Sequence, residues 1–91
     1  MLFARRKEEG MKRIEVISLD RIGLVSEISG VIRRMNGNII NHTANVITDE
    51  KNIPVSYFTA DVHFDKIPEN ELFLRRLRRI KNVRQVIITN I

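Results

Sequence analysis

The run Asn38-Ile39-Ile40-Asn41-His42-Thr43-Ala44-Asn45-Val46-Ile47-Thr48, the polar Asp49-Glu50-Lys51-Asn52 and the stretch Ile53-Pro54-Val55-Ser56-Tyr57-Phe58-Thr59-Ala60-Asp61-Val62-His63-Phe64 decide the fold. The first run is rich in β-branched and apolar residues. In the last, Ser56, Phe58, Ala60, Val62 and Phe64 share one face, opposite Val55, Tyr57, Thr59, Asp61 and His63. Side chains of a strand point alternately to its two faces, so this period of two predicts a strand with one apolar side. Two long strands joined by a short polar turn predict an antiparallel hairpin.

Outward from the hairpin the elements are short and evenly spaced. Lys12 to Ser18 alternates with Ile14 and Val16 on one face, a first strand. Asp20-Arg21-Ile22-Gly23 breaks the alternation. Leu24, Ile28, Val31, Ile32 and Met35 then recur at three- and four-residue steps, the stripe of a helix running to about Met35. Asp20 is placed to cap that helix, and Gly37 suits the left-handed position just past its end. Downstream, Pro68 fits the first turn of a second helix, with Glu69 and Glu71 at the positive end of its dipole. Phe73, Leu77 and Ile80 supply its apolar stripe, and Val83 to Ile91 reads as a fourth strand. The order β-α-β-β-α-β predicts an α+β, ferredoxin-like sandwich: a four-stranded antiparallel sheet with two helices on one face. Strands one and three should be central and strands two and four edges.

The chain has 91 residues, which suits one domain, with 1–11 expected as a flexible arm or linker and 12–91 as the folded part. It is 43% hydrophobic and 30% charged, neither a disordered nor a membrane composition. No apolar run approaches the ~20 residues a bilayer crossing needs. The start lacks the pattern of a secretory signal, and the expected compartment is the cytoplasm. With no cysteine, disulfides, thiolate metal sites and cysteine nucleophiles are excluded. The net charge of +5 is concentrated: residues 75–84 carry six basic residues and no acid, whereas 14–74 sum to −4. That patch and residues 1–13, which carry five basic residues against two acids, set the basic character, which weakens a general nucleic-acid reading.

No catalytic constellation is visible. The serines lack a nucleophile-elbow context, neither His42 nor His63 has an orienting partner in sequence, and no loop holds the glycines of a phosphate cradle. The expectation is a protein that is not an enzyme and needs no metal or cofactor. The informative segment is Asp20-Arg21-Ile22-Gly23-Leu24-Val25-x-x-Ile28 followed by Gly37-Asn38-Ile39. Such a loop sits at a helix N-terminus, where exposed amides and the dipole favour a carboxylate. Gly23 lets backbone approach a ligand, and Asn38, expected beside the loop, offers both a donor and an acceptor. Asp20, Arg21, Ile22, Gly23, Leu24, Asn38 and Ile39 are therefore the candidate residues for binding an amino acid or similar small molecule. The plainer alternative is that Asp20 only caps the helix and Gly23 only makes the turn.

These residues, together with the closing Leu77-Arg78-Arg79-Ile80-Lys81-Asn82-Val83-Arg84-Gln85-Val86, resemble an ACT domain over about residues 12–90. The likeness is greatest to ACT domains ending the bifunctional guanosine penta/tetraphosphate synthetase/hydrolases of the stringent response. The N-terminal ACT domains of tyrosine-responsive transcription regulators come close behind. The resemblance implies a βαββαβ regulatory module that pairs side by side through its second strand and holds a ligand at the interface. In the serine-regulated phosphoglycerate dehydrogenases the matching positions are Asp20 and Asn38, with Gly23 in the turn. Two departures bear on specificity. Ile22 stands where many members have proline, and Asp20 stands where the serine sensor has asparagine, so serine binding is not implied.

The second strand, 39–47, has no proline or lysine to guard it and invites pairing with another copy, although Asn41, Thr43 and Asn45 partly blunt it. Arg75, Arg76 and Arg79 are three or four residues apart and line one side of the second helix. They form either a solvated face or an anion surface for RNA or an acidic partner. The sequence thus predicts a non-catalytic regulatory domain, dimeric through strand 39–47, that binds an amino acid and controls an attached or partner enzyme. The alternative is an RNA- or protein-contacting module without a small-molecule ligand.

Overall fold

Six elements follow one another along residues 10–91, the part of the chain that the computed structural model describes. They are β1 (Gly10–Leu19), α1 (Leu24–Arg34), β2 (Gly37–Thr48), β3 (Pro54–Phe64), α2 (Asn70–Arg78) and β4 (Val83–Asn90). All pairings are antiparallel, in the order β2-β3-β1-β4, so β1 and β3 are central and β2 and β4 are edges, as the pattern predicted. The first strand begins at Gly10, two residues before the expected start. The rest of the expected arm, residues 1–9, lies outside the described residues.

One row of side chains organises the interior. Phe58, Ala60, Val62 and Phe64 of β3 are all buried, beside Ile14 and Val16 of β1 and Val86 of β4. Leu24, Ile28 and Ile32 of α1 and Phe73 and Leu77 of α2 close over them in a single cluster. Phe64 meets Phe73 edge to face, with centroids 5.6 Å apart. Each of the larger side chains contributes about 1.5–3 kcal/mol through removal from water, so this row fixes strand register.

The element ends depart from the sequence expectations in three places. Gly23, with φ 83°, is the N-cap of α1, and no side chain caps the helix. Asp20 stands too early: its amide donates to Pro54 O at 3.1 Å while the chain is still leaving the sheet. α2 starts at Asn70, because Glu69 before it is extended, and Pro68 therefore precedes the first turn. The left-handed residue after α1 is Asn36, with φ 66°, and asparagines at 52 and 82 take the same conformation in the turns that lead into β3 and β4. Asparagine tolerates this region because its short amide bonds locally.

Gly37 has a different task from the one its position suggested. A Cβ there would meet Val62 Cγ1 at 2.7 Å, Ile32 Cγ2 at 2.8 Å and Phe64 Cε1 at 2.9 Å. All three neighbours are buried, so none can swing away. The glycine lets β2 lie against the core at the point where α1 hands the chain back to the sheet. We expect Gly37→Ala to destabilise the fold by about 1–3 kcal/mol through overpacking, read as a lower urea midpoint with an unchanged slope. An unchanged midpoint would show that the contact is not tight.

Candidate functional site

The loop between β1 and α1 is built by three local features. β1 ends where Ser18 Oγ donates to Asn82 O at 2.9 Å and Asp20 N donates to Pro54 O. Gly23 then reverses the chain in a conformation that side chains disfavour, with open space where a Cβ would stand. Leu24 turns inward and joins the core. Among the described residues, the amides of Val25 and Ser26 have no hydrogen-bond partner, and the first internal bond runs from Glu27 N to Gly23 O at 3.0 Å. The N-terminus of α1 is therefore an open pair of donors with a positive dipole end.

Arg21 and Ile22 frame that opening. The Arg21 guanidinium folds back onto the Glu27 carboxylate and reaches Ile22 O at 3.4 Å. Its Nε is buried with no partner among the described residues. Ile22 at the loop's tip is 100% exposed, an aliphatic side chain presented wholly to solvent.

Asn38 does not share this site within one protomer. It pairs with His63, and His63 with Met11, at the start of β1. The loop leaves the sheet after Leu19, eight residues further along, or ~26 Å at the ~3.3 Å rise of a strand. The hairpin register places Asn38 and the 20–23 loop at opposite ends of the sheet. Ile39 is half-buried against the core and Asn38 is exposed.

β2 is the barest element. From Ile40 to Thr48 every residue is exposed, with Val46 and Ile47 each at 55% although they point to opposite faces. His42 lies over Phe58, ring centroids 5.7 Å apart. α1 covers only the beginning of the strand, so the apolar rim beyond it stays open.

Arg75, Arg76 and Arg79 do come together, and α1 adds Arg34 opposite them across a cleft of about 600 Å³ between the helices. Arg34 was missed because only the antiparallel packing of the two helices puts it there.

Two further groups escaped the sequence reading. Lys12 is 3% exposed, on the same parity as Ile14 and Val16, and its Nζ donates to Asn70 Oδ1 and Asn90 Oδ1, both at 2.9 Å. Burial pushes its pKa down. The parity was visible in sequence, but the two asparagine acceptors were not. On the opposite sheet face Arg13 grips Asp61 across strands, Nε to Oδ1 at 2.8 Å and Nη2 to Oδ2 at 3.3 Å. These bonds hold the Asp61 carboxyl below its usual range and raise the Arg13 pKa. Among the described residues no group of acids and histidines is arranged to hold a metal, and no helix is long and apolar enough to cross a membrane.

No model of a known protein family matches this sequence, and no curated protein matches it either. Solved structures do share its fold. An unknown protein from Galdieria sulphuraria superposes with TM-score 0.78 at 14% identity over 99% of this chain, which spans 54% of that one, about half its length. The ACT domain of the GTP pyrophosphokinase of Chlorobium tepidum superposes with TM-score 0.64 at 18% identity, covering 88% of this chain and 97% of that domain. The C-terminal domain of the MgtC protein from Mycobacterium tuberculosis gives 0.68 at 11% identity, over 96% and 93% of the two chains. The chain carries an ACT-like, ferredoxin-like fold.

The Arg13–Asp61 pair makes a pH prediction. A carboxyl whose folded pKa is depressed adds stability above its unfolded value, near 3.9, and that stability is lost as pH falls through the folded value. Asp61→Asn should flatten the decline in thermal stability below about pH 4 and leave the acid limb less steep than in the parent. An identical acid limb in both proteins would mean that the pair is open in solution.

Proposed function

We propose that this chain is a non-catalytic regulatory domain that pairs through β2 and binds an amino acid or similar small ligand between protomers. The observation that carries it is the bare edge of β2, together with the separation of Asn38 from the 20–23 loop. An antiparallel two-fold pairing centred on β2 sets Asn38 of one protomer level with the partner's Ile47. Ile47 pairs with Val55 and Val55 with Leu19, where the partner's loop begins. Asp20 bonded to Pro54 brings that loop toward Thr48, which is paired with Pro54 on the edge strand. Two halves of a site that lie far apart in one protomer are reunited by the symmetry of a dimer.

The chemistry at that junction suits an amino acid. The open Val25 and Ser26 amides take a carboxylate, and the Asp20 carboxylate and Asn38 amide oxygen take an ammonium. Ile22 supplies an apolar contact for the partner or for the ligand's side chain. Linkage gives the mechanism: a ligand touching both protomers favours the paired state, and an attached or partner enzyme reads that state. The fold shared with the ACT domain of a GTP pyrophosphokinase supports a regulatory role of this kind.

Sedimentation should show a dimer that Val46→Lys dissociates, since a charged edge residue opposes strand pairing. Calorimetry against each of the twenty amino acids should find one or a few that bind, and Asn38→Ala should abolish their heat and their thermal stabilisation while leaving unliganded stability unchanged. Gly23→Ala is a harsher variant, because its left-handed φ adds about 1–2 kcal/mol of strain. A monomer at high concentration defeats the pairing, and a dimer with no heat from any amino acid defeats the sensing.

A further inference from the structure

The cleft between α1 and α2 lies on the helical face, away from the free edge of β2, and its Glu27 end adjoins the 20–23 loop. Its rim is formed by Arg34 of α1 and by Arg75, Arg76 and Arg79 of α2. No ion pair joins any of these guanidinium groups to an acid among the described residues, where the salt bridges are Arg13–Asp61, Arg21–Glu27 and His63–Asp65. Arg34 lies back along its own helix, its guanidinium 3.4 Å from where a Cβ at Gly30 would stand, an ordinary contact distance. The floor is aliphatic, made by Val31, Leu72 and Ile80. Glu27 closes one end and is itself held by Arg21.

We infer that this cleft is a docking site for an acidic segment of a protein partner, one in which carboxylates about a helical turn apart flank a single apolar side chain. Charge complementarity carries the choice. Like charges held at three- and four-residue steps repel, and their assembly opposite a fourth arginine costs the isolated domain stability unless an anion offsets it. Guanidinium groups bind carboxylates in a planar, two-bonded fashion, so four of them select spacing as well as sign. The half-buried Leu72 between them gives an apolar side chain something to cover.

A nucleic-acid backbone fits less well. It gains nothing from an aliphatic floor, no aromatic side chain lines the cleft for a base to stack on, and Glu27 stops the basic track at one end. The inference does not depend on whether the 20–23 loop binds a ligand, since Arg34, Arg75, Arg76 and Arg79 all lie outside that loop.

Fluorescence anisotropy with the full chain tests it, using a labelled peptide of about twelve residues in which glutamates flank isolated leucines, the same peptide with glutamines, and an RNA duplex of similar charge. The glutamate peptide should bind, and the double variant Arg75→Glu, Arg79→Glu should weaken it by about tenfold or more. Arg33→Glu, an exposed arginine of α1 outside the cleft, should leave binding within about twofold. A lysine-for-glutamate peptide should in turn prefer the double variant, and amide shifts at Gly30, Leu72 and Ile80 should locate the complex. Circular dichroism checks that both variants fold. Absence of binding, equal binding of the glutamine peptide, equal loss on Arg33→Glu, or tighter arginine-dependent binding of RNA each overturns the proposal.

Discussion

The inward row of β3 against the two helices is the contact on which the molecule depends. Phe58, Ala60, Val62 and Phe64 are buried by α1 and α2, and a slip of one residue would turn them all to solvent. That penalty locks the register of β3 with β1 on one side and β2 on the other. Everything about the functional surfaces follows from this lock. It sets the 20–23 loop at one end of the sheet and Asn38 at the other, and it leaves β2 with a neighbour on one side only.

The same lock explains the glycines and asparagines. Gly37 is needed where β2 passes within contact of Val62, Ile32 and Phe64, a steric demand made by the core. Gly23 is needed for a backbone demand, a left-handed turn with space around it. The two residues look alike in sequence and answer to different physics. The asparagines at 36, 52 and 82 share one task, closing a turn at positive φ so that the next strand starts in register.

The strand edge and the interhelical cleft lie apart, and the Arg21–Glu27 ion pair ties the first loop to the end of the cleft. The strand edge and the first loop form one region, apolar at its rim and bearing unpaired donors. The interhelical cleft forms another, basic and backed by aliphatic side chains.

Much of this was legible in the chain itself. The period of two from Val55 to Phe64, the three-and-four spacing of Leu24 to Met35 and the polar turns fixed the elements and their order, because those periodicities are properties of one segment and its own backbone. The candidate loop and the arginine row were legible for the same reason. What only the tertiary structure decided were relations between segments. Arg34 joins the other arginines because antiparallel helices pack, Lys12 finds Asn70 and Asn90 because three elements converge, and Asn38 is carried away from the loop because hairpin pairing runs its strand back along the sheet. Local spacing specifies what each stretch becomes; which stretches meet depends on burying one continuous core, and that is a property of the whole chain.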